Sequence, residues 1–192
     1  MSKGVLTVVS GFSGAGKGTV MKRLLEKYEN YALSISVTTR KPREGERDGI
    51  EYFFRTREEV EAMIQEDQLL EHADMLSQGK NVILEIEIQG AMKIKEKIPE
   101  AVLVFVTPPT IEELRSRLTG RGTETADVIA SRLRRAAEES EGMDNYDYIL
   151  INDQVEDCVD QLHQIILSER CRAQRNEELI NTIQEEARIF MK

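Results

Sequence analysis

This 192-residue sequence has no tryptophan, two cysteines, four prolines and an aromatic content of 5%. Two cysteines, Cys158 and Cys171, cannot staple a small secreted scaffold, so a reducing cytosol is the expected setting. No run of about 18 apolar residues occurs, and nothing is expected to span a membrane. Basic residues are outnumbered, 26 against 35 acidic, for a net charge of -9. A general nucleic-acid binder needs a basic surface, so that class is excluded, although a local basic pocket is not. The first apolar run starts at Val5, which leaves no room for a signal peptide before it. No internal repeat or low-complexity tract is present. What remains is a chain that is 40% hydrophobic and 32% charged, enough for one domain with small inserted lobes.

The strongest motif is Gly11-Phe12-Ser13-Gly14-Ala15-Gly16-Lys17-Gly18-Thr19. It follows the β-branched run 5–9 and leads into a helical pattern over 16–28. Strand, glycine-rich loop and helix are the context of a P-loop. Glycines let successive N–H groups turn inward around an anion. The helix N-terminus adds partial positive charge, and Lys17 adds a full one for the β/γ-phosphates. A plain glycine turn needs neither four glycines nor a lysine at that spacing. Where such loops usually carry a magnesium-ligating Ser or Thr directly after the lysine, this chain has Gly18, with Thr19 one later. A magnesium ion is then expected on phosphate oxygens and water.

Downstream, strands and helices alternate. Strands are expected at 33–37, 51–54, 69–73, 81–88, 102–106 and 148–151, with 81–88 the best central strand. Helices are expected at 56–67, 89–97, 110–118 and 126–141, and from Val155 onward. Loops fill 38–49 and 119–125. Buried strands alternating with helices imply an α/β fold, a P-loop NTPase-like parallel sheet with helices on both faces. The ligand belongs beyond the C-terminal ends of the strands.

Charged residues gather in three places. Arg40 and Arg43, stiffened by Pro42, can grip one phosphate, and Tyr52 can donate to it. A solvated basic loop is the alternative, and charge runs usually are that. Arg115, Arg117, Arg121, Arg132, Arg134 and Arg135 form a second group. Arg121 lies between glycines, in a hinge-like setting, while Arg115 and Arg134 read as helix-surface residues. Lid arginines of this kind neutralise a transferring phosphoryl group. Glu85 and Glu87 alternate with apolar neighbours and should share a face near a strand end. They suit either water-mediated magnesium binding or salt bridges at an edge.

Taken in order, these segments resemble guanylate kinase over nearly the whole length. The match takes in 11–19, Ser36-Val-Thr-Thr-Arg40-Lys-Pro-Arg43, Glu51-Tyr52, Leu70-Glu71, Glu85-Ile-Glu87 with Gln89-Gly90-Ala91, Gly120-Arg121-Gly122 and Ile151-Asn152-Asp153. The resemblance implies a single domain over 1–192 that phosphorylates GMP from ATP with Mg2+ and is cytoplasmic. Its core would be 1–35, 81–118 and 134–192, with a GMP-binding lobe at 36–80 and a lid at 119–133. It implies that residues 11–19, with Arg117 and Asn152, bind ATP, Asn152 near the adenine. Ser36, Arg40, Arg43, Tyr52, Glu71 and Glu85 would bind GMP. Lys17, Arg40, Arg43, Arg121 and Arg132 would carry catalysis. Glu71 suits guanine, since one carboxylate can accept from both N1–H and the exocyclic amine, a donor pair that adenine lacks.

One departure stands out. The family carries roughly fifteen more residues between Asp74 and Gly79, including Gly-Asn-Tyr-Tyr-Gly. The chain either lacks them or joins across a missing loop. The second is the expectation, and it requires Cα atoms near 74–77 to lie much farther apart than ~3.8 Å. Two other functions stay open: a catalytically silent protein-binding module on the same fold, and a nucleoside monophosphate kinase with another acceptor base. dGMP is a further candidate acceptor, and the oligomeric state is not readable.

Overall fold

Strand β1 (Leu6–Gly11) is the centre of the molecule, and its sequence explains why. Val8 and Val9 are fully buried, as is Thr7, so both faces of the strand are covered. That is the environment of a parallel sheet with helices on both sides. The computed structural model describes residues 3–34, 37–38, 53–54, 70–120 and 125–191, with the backbone alone at 34, 37–38, 53–54 and 70–72.

Five parallel strands are ordered β2-β5-β1-β6-β7. They are β2 (Tyr31–Ser34), β5 (Asn81–Glu85), β1, β6 (Val102–Thr107) and β7 (Tyr148–Ile151). Val9 lies opposite Glu85 on one side and Val104 on the other. Two short strands, β3 (Val37–Thr38) and β4 (Phe53–Phe54), form a separate parallel pair. The β-strand expected at 33–37 begins earlier, at Tyr31, and ends at Ser34, while Val37 belongs to the separate pair.

Helix α1 (Lys17–Lys27) buries Val20, Met21 and Leu24. It packs against α6 (Val155–Arg170), which buries Cys158, Val159, Leu162 and Ile166. Helix α3 (Ile88–Lys97) lies on β1 and β6 through Ala91 and Ile94. Helix α4 (Ile111–Gly120) is capped by Thr110, whose Oγ1 accepts from Glu113 N–H at 3.0 Å. Helix α5 (Ala126–Ser140) follows, and α7 (Glu177–Arg188) ends the chain with Leu179 and Ile183 exposed. No helix among the described residues is long and apolar enough to cross a membrane.

Three expectations are corrected. Residues 70–77 are helix α2 (Leu70–Ser77), not a strand over 69–73. A run that short has no decisive period. The helix is stopped by Gly79 in the left-handed region, φ 81°. Gly79 N–H bonds to Leu76 O and Lys80 N–H to Met75 O, the paired bonds of a Schellman stop. Gly4 N–H also donates to Leu76 O at 2.8 Å, tying the helix end to the start of β1.

The second correction concerns the chain between 74 and 79, where helical and turn hydrogen bonds run without a break. The wide Cα separation expected of a junction across a missing loop is not found at these residues. The third concerns 81–88. The strand stops at Glu85, Glu87 takes the extended N-cap position, and α3 starts at Ile88. Glu85 and Glu87 therefore do not share one strand face.

Candidate functional site

The loop between β1 and α1 is shaped by glycines that nothing else can replace. Gly16 has φ +87°, and a Cβ there would sit 2.5 Å from Asn152 Nδ2. At Gly11 a Cβ would sit 2.0 Å from Val106 O. Ala15 N–H closes the loop onto Phe12 O at 3.0 Å, and Val20 N–H begins the helix at Gly16 O. Phe12 is buried and packs edge-on against Phe105 of β6, with ring centroids 5.0 Å apart. Helix α1 has no acidic residue in its first turn and no side-chain cap. Its positive end is left open toward the loop, as an anion site requires.

Lys17 turns back over the loop. Its Nζ donates to Gly11 O at 2.7 Å and to Phe12 O at 3.2 Å. Burial holds its pKa below the ordinary 10.5, against the opposing pull of Glu85, Glu139 and Glu87. Three carboxylates therefore lie within electrostatic reach of the ammonium. A phosphate arriving at Lys17 would replace two carbonyl contacts with a charge-assisted bond.

Two of the expected arginines converge here. Arg132 of α5 donates to Ser13 Oγ at 3.1 Å, which places a guanidinium at the loop. Arg117 of α4 donates to Asn152 O at 2.9 Å and to Glu113 Oε1 at 2.7 Å. Asn152 itself is 2% exposed. Its Nδ2 donates to Ala15 O at 2.7 Å, which ties the side chain to the loop. Gly18 has open space where a Cβ would go.

One residue at this site was not singled out by the sequence. Arg135 lies 3.0 Å from Glu87 Oε2, and its Nε donates to Glu139 Oε1 at 2.8 Å. Its spacing to Glu139 is a readable i,i+4 signal, but Glu87 is brought to it only by the fold. The expected residues Ser36, Arg40, Arg43, Tyr52 and Arg121 lie outside the described residues. Glu71 falls in α2, where the backbone alone is described.

For a metal, the described residues hold no group of three or more His, Cys, Asp or Glu side chains suited to an ion. Gly18 offers no hydroxyl after the lysine. Carboxylates at Glu85 and Glu87 near Lys17 fit an ion that enters on a polyphosphate and keeps its water. The arrangement as a whole is an anion cradle with cations on one side and carboxylates on the other. That arrangement suits phosphoryl transfer.

A profile of the guanylate kinase family matches residues 3–169. A guanylate kinase of Caldanaerobacter subterraneus subsp. tengcongensis is 46% identical, covering 96% of this chain and 97% of its own length. One from Bacillus cereus is 50% identical over 90% and 92%. The crystal structure of guanylate kinase from Anaplasma phagocytophilum superposes with a TM-score of 0.70 at 32% identity, covering 91% of this chain and 90% of that one.

Proposed function

The chain belongs to the guanylate kinase family and catalyses ATP-dependent phosphorylation of GMP to GDP; we propose that its residues divide that reaction as follows. The loop 11–19 cradles the ATP phosphates with its backbone N–H groups and the N-terminus of α1. Lys17 leaves the carbonyls of Gly11 and Phe12 and takes the β/γ-phosphates. Arg132, with Arg121 from the lid, neutralises the charge that develops on the transferring group, and Arg117 supports them. Arg40, Arg43 and Tyr52 hold the GMP phosphate, while Ser36 and Glu71 face the guanine, with Glu85 near the same nucleotide.

An oxygen of the GMP phosphate attacks the γ-phosphorus in line. No general base is needed, because that oxygen is already anionic. The protein supplies position and charge. Mg2+ entering with ATP would supply further neutralisation of the phosphate charge, and Glu87 would hold it through water. Asn152 acts one step back, by holding Ala15 and thereby the curve of the loop.

The observation that carries the reading is the meeting of Lys17 and Arg132 on one glycine loop. It is tested by ADP formation from ATP and Mg2+ with GMP or AMP in parallel. Turnover confined to GMP is expected. Turnover with AMP alone would assign another acceptor base, and silence with both would leave a binding module. Glu71→Gln should raise the GMP KM and narrow the GMP/AMP preference. An unchanged preference would remove Glu71 from the guanine.

A further inference from the structure

Helix α5 carries Arg132 and Arg135 three residues apart, on one face of the helix. Arg132 meets Ser13, just beyond the end of β1. Arg135 meets Glu87, just beyond the end of β5. Strands β1 and β5 are hydrogen-bonded neighbours. The same helix face is therefore pinned to the C-terminal ends of two adjacent strands.

Apolar packing alone holds α5 thinly. Ala136 is its single buried residue, with Ile129 and Leu133 partly buried against the core. A helix usually takes its rotation from an apolar stripe about 100° wide. With so little of one, the rotation of α5 depends on its polar anchors. Glu139, one turn on, sets the fork: Arg135 Nε donates to it while the other end of the guanidinium reaches Glu87. Glu139 is the more sheltered partner, with its side chain 18% exposed.

We propose that Arg135 is a positioning residue for phosphoryl transfer: by tying Glu87 to Glu139 it fixes the rotation of α5, and with it the place of Arg132 over the glycine loop. This rests on the reading of that loop as the ATP site. Arg135 itself is half exposed and touches no reacting atom, so it works through Arg132.

The test is steady-state kinetics with ATP and GMP on Arg135→Ala, Arg135→Lys, Arg132→Ala and the double variant Arg132→Ala/Arg135→Ala, with the exposed neighbour Arg134→Ala as control. Arg135→Ala should lose about tenfold in kcat, the scale of coupling between contacting residues, with the GMP KM unmoved. Arg135→Lys should recover part of it, and Arg134→Ala should match wild type. Because Arg135 acts through Arg132, the double variant should be little worse than Arg132→Ala alone. Wild-type kcat in Arg135→Ala, or a double variant showing the full product of both single losses, would overturn the proposal. A wild-type chain silent with ATP and GMP would remove the reaction itself and this proposal with it. An active wild type with an indifferent Arg135→Ala removes this proposal alone.

Discussion

Asn152 donates its side-chain amide to Ala15 O at 2.7 Å, joining the end of β7 to the glycine loop across 137 positions of sequence. The contact is buried, and Gly16 leaves room for it. Asn152→Ala strands a buried carbonyl, at a cost of about 1–3 kcal/mol. A lower melting temperature and a raised ATP KM are expected together, with the GMP KM unchanged. A variant that melts lower but binds ATP normally would show that Asn152 serves the fold and not the loop.

Lys17 combines a functional charge with an unfavourable site for it. Burial lowers its pKa, so the folded chain binds this proton less tightly than the unfolded chain does. Between the lowered value and 10.5 the unfolded state holds more protons, and stability rises with pH across that window. Below the window the whole penalty is present. Lys17→Met should therefore lose on the order of 10²-fold or more in kcat while the nucleotide-free protein melts no lower than wild type at neutral pH. Thermal melting with and without ATP reads both effects. A clear drop in the nucleotide-free melting temperature would mean that the two carbonyl contacts outweigh the desolvation.

A chain shortened between Asp74 and Gly79, at the end of α2, predicts a split between the substrates. The ATP side of the site is intact in loop, lysine and arginine. The resemblance implies a Gly-Asn-Tyr-Tyr-Gly stretch between Asp74 and Gly79 whose tyrosine and hydroxyl would help close the GMP pocket. The GMP KM should stand at least about tenfold above that of a relative that keeps the stretch, the cost of each lost anchor being about 1.4 kcal/mol or more. ATP affinity by calorimetry should be similar in the two. Equal GMP KM values would show that this chain closes the pocket with other residues.

The glycine loop was legible because its pattern is local: nine consecutive residues hold the glycines, the lysine and the helix start. Helix α2 was not. Its few apolar residues fit either period, and what selects the helix is Leu76 reaching Gly4 and the Gly79 stop. Asn152 was placed at the site by resemblance, but its bond to Ala15 was not legible, since nothing near it in sequence announces Ala15. Arg135 was visible among other arginines, yet Glu87 is a neighbour only once β5 and α5 are in place. Spacing shows the side chains that act on a ligand more readily than those that hold them.

His163 of α6 makes stability depend on pH in a predictable direction. Its ring stacks on Tyr28, with centroids 3.7 Å apart and planes 8° from parallel. Its Nδ1 lies 2.7 Å from the hydroxyl of Tyr31 in β2. Burial lowers the imidazole pKa, with Asp160 opposing and Lys27 assisting. Tyr31 is pushed up to about 12 and so remains a donor throughout. A hydroxyl that donates to Nδ1 needs that nitrogen unprotonated, which is the form that burial also favours. Above pH ~6.5 the ring is neutral in folded and unfolded chains alike. As pH falls below that, the unfolded chain takes up the proton first, and stability is lost. The melting temperature should fall between pH 7 and pH 5, and His163→Phe, which keeps the stack but cannot titrate, should flatten part of that fall. Parallel curves for the two proteins would show that this joint between α1, β2 and α6 does not sense pH.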